Sequence, residues 1–174
     1  MEERRKTGVY ASCLYDDQSL QKLAEWMNDH NDLIPMPVPL EKIHTTVVYS
    51  RTDFPCPIGE AIHLTDSQQF CPSGFTLLGK PEDDVACLVM LLAAEPLVHV
   101  HKFCLDEGAR HDYEDYIPHV TLSYQVPKDF DHSQIEIPDF CLKPNVIKFE
   151  PLDLNWRLQD DKNVIQFHNL KREK

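Results

Sequence analysis

No apolar run in this chain approaches the roughly 20 residues that a helix needs to cross a bilayer. The charged start Met1-Glu2-Glu3-Arg4-Arg5-Lys6 leads into no apolar signal region. The expectation is a soluble, cytoplasmic protein with no membrane partner. No Cys-x-x-Cys pair occurs, and none of the nine histidines stands beside a cysteine at zinc-finger spacing. That argues against structural zinc, and nothing in the sequence calls for a metal or a cofactor. Basic residues are scarce, 17 Lys and Arg against 29 Asp and Glu, for a net charge of -12. Wrapping long nucleic acid requires many phosphates to be neutralised, so that class of partner is excluded. One or two phosphates need only a few local donors, and a small nucleotide stays compatible with an acidic exterior. Flexible linkers are also missing. A chain of 174 residues is therefore read as one domain, 1–174, monomeric or weakly oligomeric.

Six cysteines are present, several inside apolar runs such as Ala86-Cys87-Leu88-Val89, where they read as small reduced core residues. Gly8 to Leu14 is apolar and β-prone, and Asp16-Asp17 after it suits a helix cap. The helix is expected over about Gln18 to Asn28, with Leu20, Leu23, Ala24 and Met27 turned to a sheet. Pro35, Pro37 and Pro39 make an extended connector. A strand from Ile43 to Ser50 follows. A meander is expected next, with strands near Ala61 to Leu64, Phe75 to Leu78 and Cys87 to Leu92, broken at Pro72-Ser73-Gly74 and Lys80-Pro81-Glu82-Asp83-Asp84. Pro96 opens a second helix whose stripe is Leu97, Val100, Cys104 and Leu105, and Gly108 stops it. Strands at His119 to Tyr124, Val146 to Trp156 and Val164 to His168 complete an α+β fold of many short strands and two main helices.

An internal repeat joins the two halves. His44-Thr45-Thr46-Val47-Val48-Tyr49 aligns with His119-Val120-Thr121-Leu122-Ser123-Tyr124 as His, any, Thr, apolar, any, Tyr. Side chains alternate along a strand, so His44 and Thr46 share one face, as do His119 and Thr121. Two pseudo-equivalent strands of this kind can face each other across a groove. Imidazole takes or gives a proton near neutral pH, and a threonine hydroxyl can donate to a non-bridging phosphate oxygen where charge builds. One copy alone reads as an ordinary strand histidine; two copies with six shared positions read as a metal-free site for phosphodiester chemistry. Which histidine is base and which is acid stays open at this level. His111 is an isolated loop histidine, and His63, His99, His101, His132 and His168 share no spacing, so they are read as surface or helix residues.

The paired motifs resemble the signature of the two-histidine (2H) phosphoesterase superfamily, with its bilobal fold of antiparallel strands around a central groove. The resemblance implies that His44 and His119 catalyse and that Thr46 and Thr121 bind phosphate. A narrower resemblance covers most of the chain. Gly-Val-Tyr-Ala-Ser-Cys-Leu, the proline-rich approach to Ile-His-Thr-Thr-Val-Val-Tyr-Ser-Arg, His-Asp-Tyr-Glu-Asp-Tyr-Ile-Pro-His-Val-Thr-Leu-Ser-Tyr and Phe149-Glu150-Pro151-Leu152 to Trp156 look like the phage anti-CBASS nucleases. It implies a cyclic di- or trinucleotide immune signal as substrate, cut at 3′-5′ linkages in the cytoplasm of a bacterial host. It further implies Tyr10, Glu150 and Trp156 as base-holding residues, with Phe75 as a looser match. On the residues alone, Tyr10 and Trp156 fit a sheet face equally, and Glu150 fits a strand edge. Arg51 reads as a solvated turn residue. Two alternatives share these motifs: a 2′,3′-cyclic phosphodiesterase acting on RNA ends or small cyclic phosphates, and a sponge that binds the nucleotide without cutting it.

Overall fold

Period-two burial and one capped amphipathic helix account for the first third of the chain. The computed structural model describes residues 8–65, 67–110 and 115–152. Strand β1 (Val9–Tyr15) buries Val9, Ala11, Cys13 and Tyr15 on one face and runs straight into helix α1 (Asp17–Asp29). Asp16 caps that helix, its carboxylate accepting the Ser19 amide at 2.8 Å, as the Asp-Asp pair suggests. Leu23 and Met27 are the apolar side chains that α1 buries fully. After the proline connector come β2 (Thr45–Ser50), β3 (Ala61–His63), β4 (Cys71–Leu78) and β5 (Val85–Ala93). Helix α2 (Glu95–Asp106), β6 (His119–Pro127) and β7 (Pro144–Pro151) complete the order.

These strands make two antiparallel sheets, one ordered β2-β1-β7-β3 and the other β4-β5-β6. The result is the expected α+β architecture, two helices and two sheets about a groove. β2 and β6, the motif strands, are edge strands of their sheets and lie against each other.

Three expectations need correction. The Pro72-Ser73-Gly74 segment is strand, not turn. β4 is an edge strand and its register shifts between Pro72 and Gly74, so a residue without an N–H breaks no ladder there. The stripe of α2 is Leu97, His101 and Cys104, with Leu105 exposed, so His101 is a core residue at 3% exposure. The reading of the cysteines as reduced holds for Cys87 and Cys104, which are free, and not for Cys71 and Cys141, which form a disulfide. Phe70 and Leu142 beside them exchange both backbone hydrogen bonds at 2.8 Å, which sets the two cysteines side by side. The Val164 to His168 strand, the Val146 to Trp156 run beyond Leu152, and His111 lie outside the described residues.

Candidate active site

The repeat seen in the sequence is a repeat of structure at the same six positions. From His44 to Tyr49 the side chains run half-buried, buried, half-buried, buried, buried, half-buried, and from His119 to Tyr124 the order is identical. Strict alternation would send the tyrosine, three residues after the threonine, to the opposite face. A one-residue bulge in each strand prevents this. Ala11 faces Val48 while Ser12 faces Thr46, which leaves Val47 unmatched. Leu88 faces Ser123 while Val89 faces Thr121, which leaves Leu122 unmatched. Each strand thus brings its histidine, threonine and tyrosine to one face, with the intervening apolar residues in the core.

Both imidazoles are held in the same tautomer by the same contact. His44 Nδ1 donates to the Lys42 carbonyl at 2.8 Å, and His119 Nδ1 donates to the Ile117 carbonyl at 2.8 Å. A carbonyl only accepts, so Nδ1 carries the hydrogen and Nε2 of each ring is left for proton exchange. Tyr10 places its hydroxyl 2.7 Å from His44 Nε2 and 3.0 Å from Thr46 Oγ1. With neutral His44 the phenol donates to Nε2 and accepts from Thr46; with a protonated ring it turns and accepts from both. Burial pushes the Tyr10 phenol up to about 12, helped by the Glu150 carboxylate and opposed by Thr46, so it keeps its proton at neutral pH.

The register carries Tyr10 between Tyr49 and Glu150, which share its face. Ser12 and Lys148 form the next row on that face, and Lys148 is a cation that the motif reading overlooked. Its signal in the sequence is its place two residues before Glu150 on the same strand. Arg51, read from the sequence as a turn residue, sets its guanidinium 5.8 Å from the centre of the Tyr49 ring.

Burial holds the His119 imidazole below its ordinary value; the Ile117 carbonyl opposes this and nearby His44 reinforces it. Neutral His119 is therefore the resting form at neutral pH. If it takes the proton in the reaction, kcat/KM keeps its plateau as pH falls and declines only below about pH 6.5, the ordinary imidazole value. A profile from acid to alkaline pH checks this, and an acidic limb at or above that value assigns the role elsewhere.

Phe75 is not brought to this face. Phe75, Met90 and Val120 form one row across the second sheet, and Thr76, Val89 and Thr121 form the row on its other side. The Phe75 ring stacks on Trp26 of α1, centroids 6.1 Å apart, and lies against His132. It therefore packs behind the sheet that carries His119. Trp156 lies outside the described residues.

The model of the anti-CBASS protein Acb1 family matches residues 7–159. The chain belongs to that family. The anti-CBASS protein Acb1 of Enterobacteria phage T4 is 35% identical over 151 residues, covering 86% of this chain and 91% of the relative. The Acb1 of Yersinia phage phiR1-RT is 31% identical over 154 residues, with the same two coverages, 86% and 91%. Among solved structures, E. coli LigT complexed with 3′-AMP shares the fold at a TM-score of 0.51 and 12% identity, over 84% of this chain and 95% of that one. The matched span includes both motifs and every described site residue named above, so the Acb1 family is defined over the groove itself.

Proposed function

We propose that this chain is a metal-independent phosphodiesterase that opens 3′-5′ linkages in cyclic di- or trinucleotides and so counteracts CBASS signalling. The observation that carries the reading is the pair of imidazoles with matched tautomers, each presenting Nε2 on a face it shares with a threonine. His119, held neutral, takes the proton of a ribose 2′-hydroxyl. The 2′-oxygen bonds to phosphorus, the bond to the 5′-oxygen breaks, and His44 gives its proton to that oxygen. Water then attacks the 2′,3′-cyclic phosphate with the roles reversed, the bond to the 2′-oxygen breaks, and a linear product ending in a 3′-phosphate leaves. Thr46 and Thr121 donate to the non-bridging oxygens as charge grows on them. To Tyr10 and Glu150, neighbours across β1 and β7, we assign the holding of a base, with Trp156 as a third candidate.

The setting we propose is the host cytosol. No helix among the described residues is long and apolar enough to cross a membrane. Among them no three His, Cys, Asp or Glu side chains form a metal-binding group.

A product assay with chelator present tests the reading. Incubation with a 3′-5′ cyclic dinucleotide is expected to give the linear 3′-phosphate. Consumption of a 2′,3′-cyclic mononucleotide alone transfers the site to RNA-end chemistry, since that compound enters only at the second step. Recovery of unaltered cyclic dinucleotide after heating the complex identifies a sponge.

A further inference from the structure

An edge strand leaves one row of backbone groups without a ladder partner, and a bulge adds one more. In both motif strands the carbonyl of the bulged residue is taken up, but by different means. At the β6 bulge the Leu122 carbonyl accepts the Val38 amide of the proline connector at 2.8 Å. At the β2 bulge two side chains do the work. His101 Nδ1 donates to the Val47 carbonyl at 2.7 Å, and the Tyr116 hydroxyl donates to the Thr46 carbonyl at 2.7 Å. The two rings stack on each other, centroids 4.2 Å apart and planes 11° apart. One comes from α2 and the other from the approach to β6.

We infer that His101 and Tyr116 are positioning residues for the first motif strand: by holding the Thr46 and Val47 carbonyls they fix the bulge that aims Thr46 into the groove. The inference rests on the proposed roles of His44 and Thr46. Both rings act on the backbone of the first motif strand. Burial lowers the His101 imidazole's tendency to protonate and raises that of the Tyr116 phenol to keep its proton, so both stay neutral donors across the physiological range. Tyr116 also ties the strand to its counterpart, because it lies three residues before His119.

The test is a pair of double-mutant cycles read as kcat per folded molecule. Tyr116→Phe deletes one donor while keeping the ring, and a misplaced Thr46 is expected to lower kcat on the order of tenfold with little change in KM. In a Thr46→Ala background the same substitution should cost less than about twofold, and in a Thr121→Ala background it should keep its full cost. Equal cost in both backgrounds shows that Tyr116 merely supports the fold, which overturns the inference and leaves the proposed function standing. Unchanged turnover in Thr46→Ala by itself overturns both. His101→Asn and His101→Gln supply a second reading if Tyr116→Phe fails to fold. The asparagine amide reaches the place of Nδ1, whereas the glutamine amide reaches the place of Nε2. Asparagine is expected to retain kcat within about threefold and glutamine to lose about tenfold. Equal retention, or loss of folding in the asparagine variant, assigns the pair to the core rather than to the site.

Discussion

Replacing both His44 and His119 by alanine should reduce turnover of a cyclic dinucleotide by at least about a thousandfold, because each imidazole supplies proton transfer ordinarily worth 10²- to 10⁴-fold. Each single substitution should come close to the double, since a base without its acid, or an acid without its base, leaves one of the two proton transfers uncatalysed. Both rings are half-buried and project into the groove from strand edges, so thermal stability should hardly move. The measurement is product formation under saturating substrate alongside a melting curve. Residual activity within tenfold of the parent in the double variant is incompatible with the proposed chemistry. Losses confined to one histidine would mean that water or the other partner of the groove completes the proton relay.

Gly8→Ala is expected to give the largest loss of stability available from a single methyl group. A β-carbon at Gly8 would stand 1.6 Å from the Ser50 carbonyl oxygen, 2.5 Å from the Ser50 carbonyl carbon and 2.7 Å from that of Arg51. All three are backbone atoms, so no side chain can turn aside. Ser50 cannot yield cheaply. It is fully buried, it pairs with Val9, and its hydroxyl donates to the Thr52 carbonyl and accepts the Arg110 amide. On the other side the Gly8 carbonyl accepts the Leu152 amide at 2.8 Å, which ties the end of β7 to the same point. Overpacking of this severity costs about 3 kcal/mol or more. For a chain of this length the melting midpoint should fall by roughly 10 °C. A midpoint within about 2 °C of the parent, followed by circular dichroism, would show that the two strands part more easily than this junction implies.

The motifs were legible because their chemistry is written in residue type and spacing. Histidine and threonine two apart share a face on any strand, and a duplicated pattern is visible without coordinates. Asp16 was legible for a similar reason, since an acidic cap acts within one turn of its own position. What stayed hidden depends on partners far along the chain. Pro72 looks like a turn residue until β4 proves to be an edge, where a missing N–H costs nothing. Phe75 shares the aromatic character of a base-stacking residue, yet register alone decides that it faces Trp26 and not the groove. The cysteine at position 71 gave no hint of its distant partner, 70 residues on. His101 did leave a trace. It stands four residues after Leu97 and three before Cys104, on the stripe that α2 buries, and a histidine at such a position must bring a partner for its ring nitrogen.

The two bulges have a consequence that no single side chain carries. Thr46 and Tyr49, like Thr121 and Tyr124, are separated by an odd number of steps, and an odd count puts two residues on the same side only when one residue between them is unpaired. The groove is therefore encoded in length as well as in composition. Val47 and Leu122 can change identity among apolar residues with little effect on what the groove presents, because each is the residue the ladder skips: the pairs on either side of it stay matched, and what the extra residue adds is a local bend and twist of the strand behind the groove.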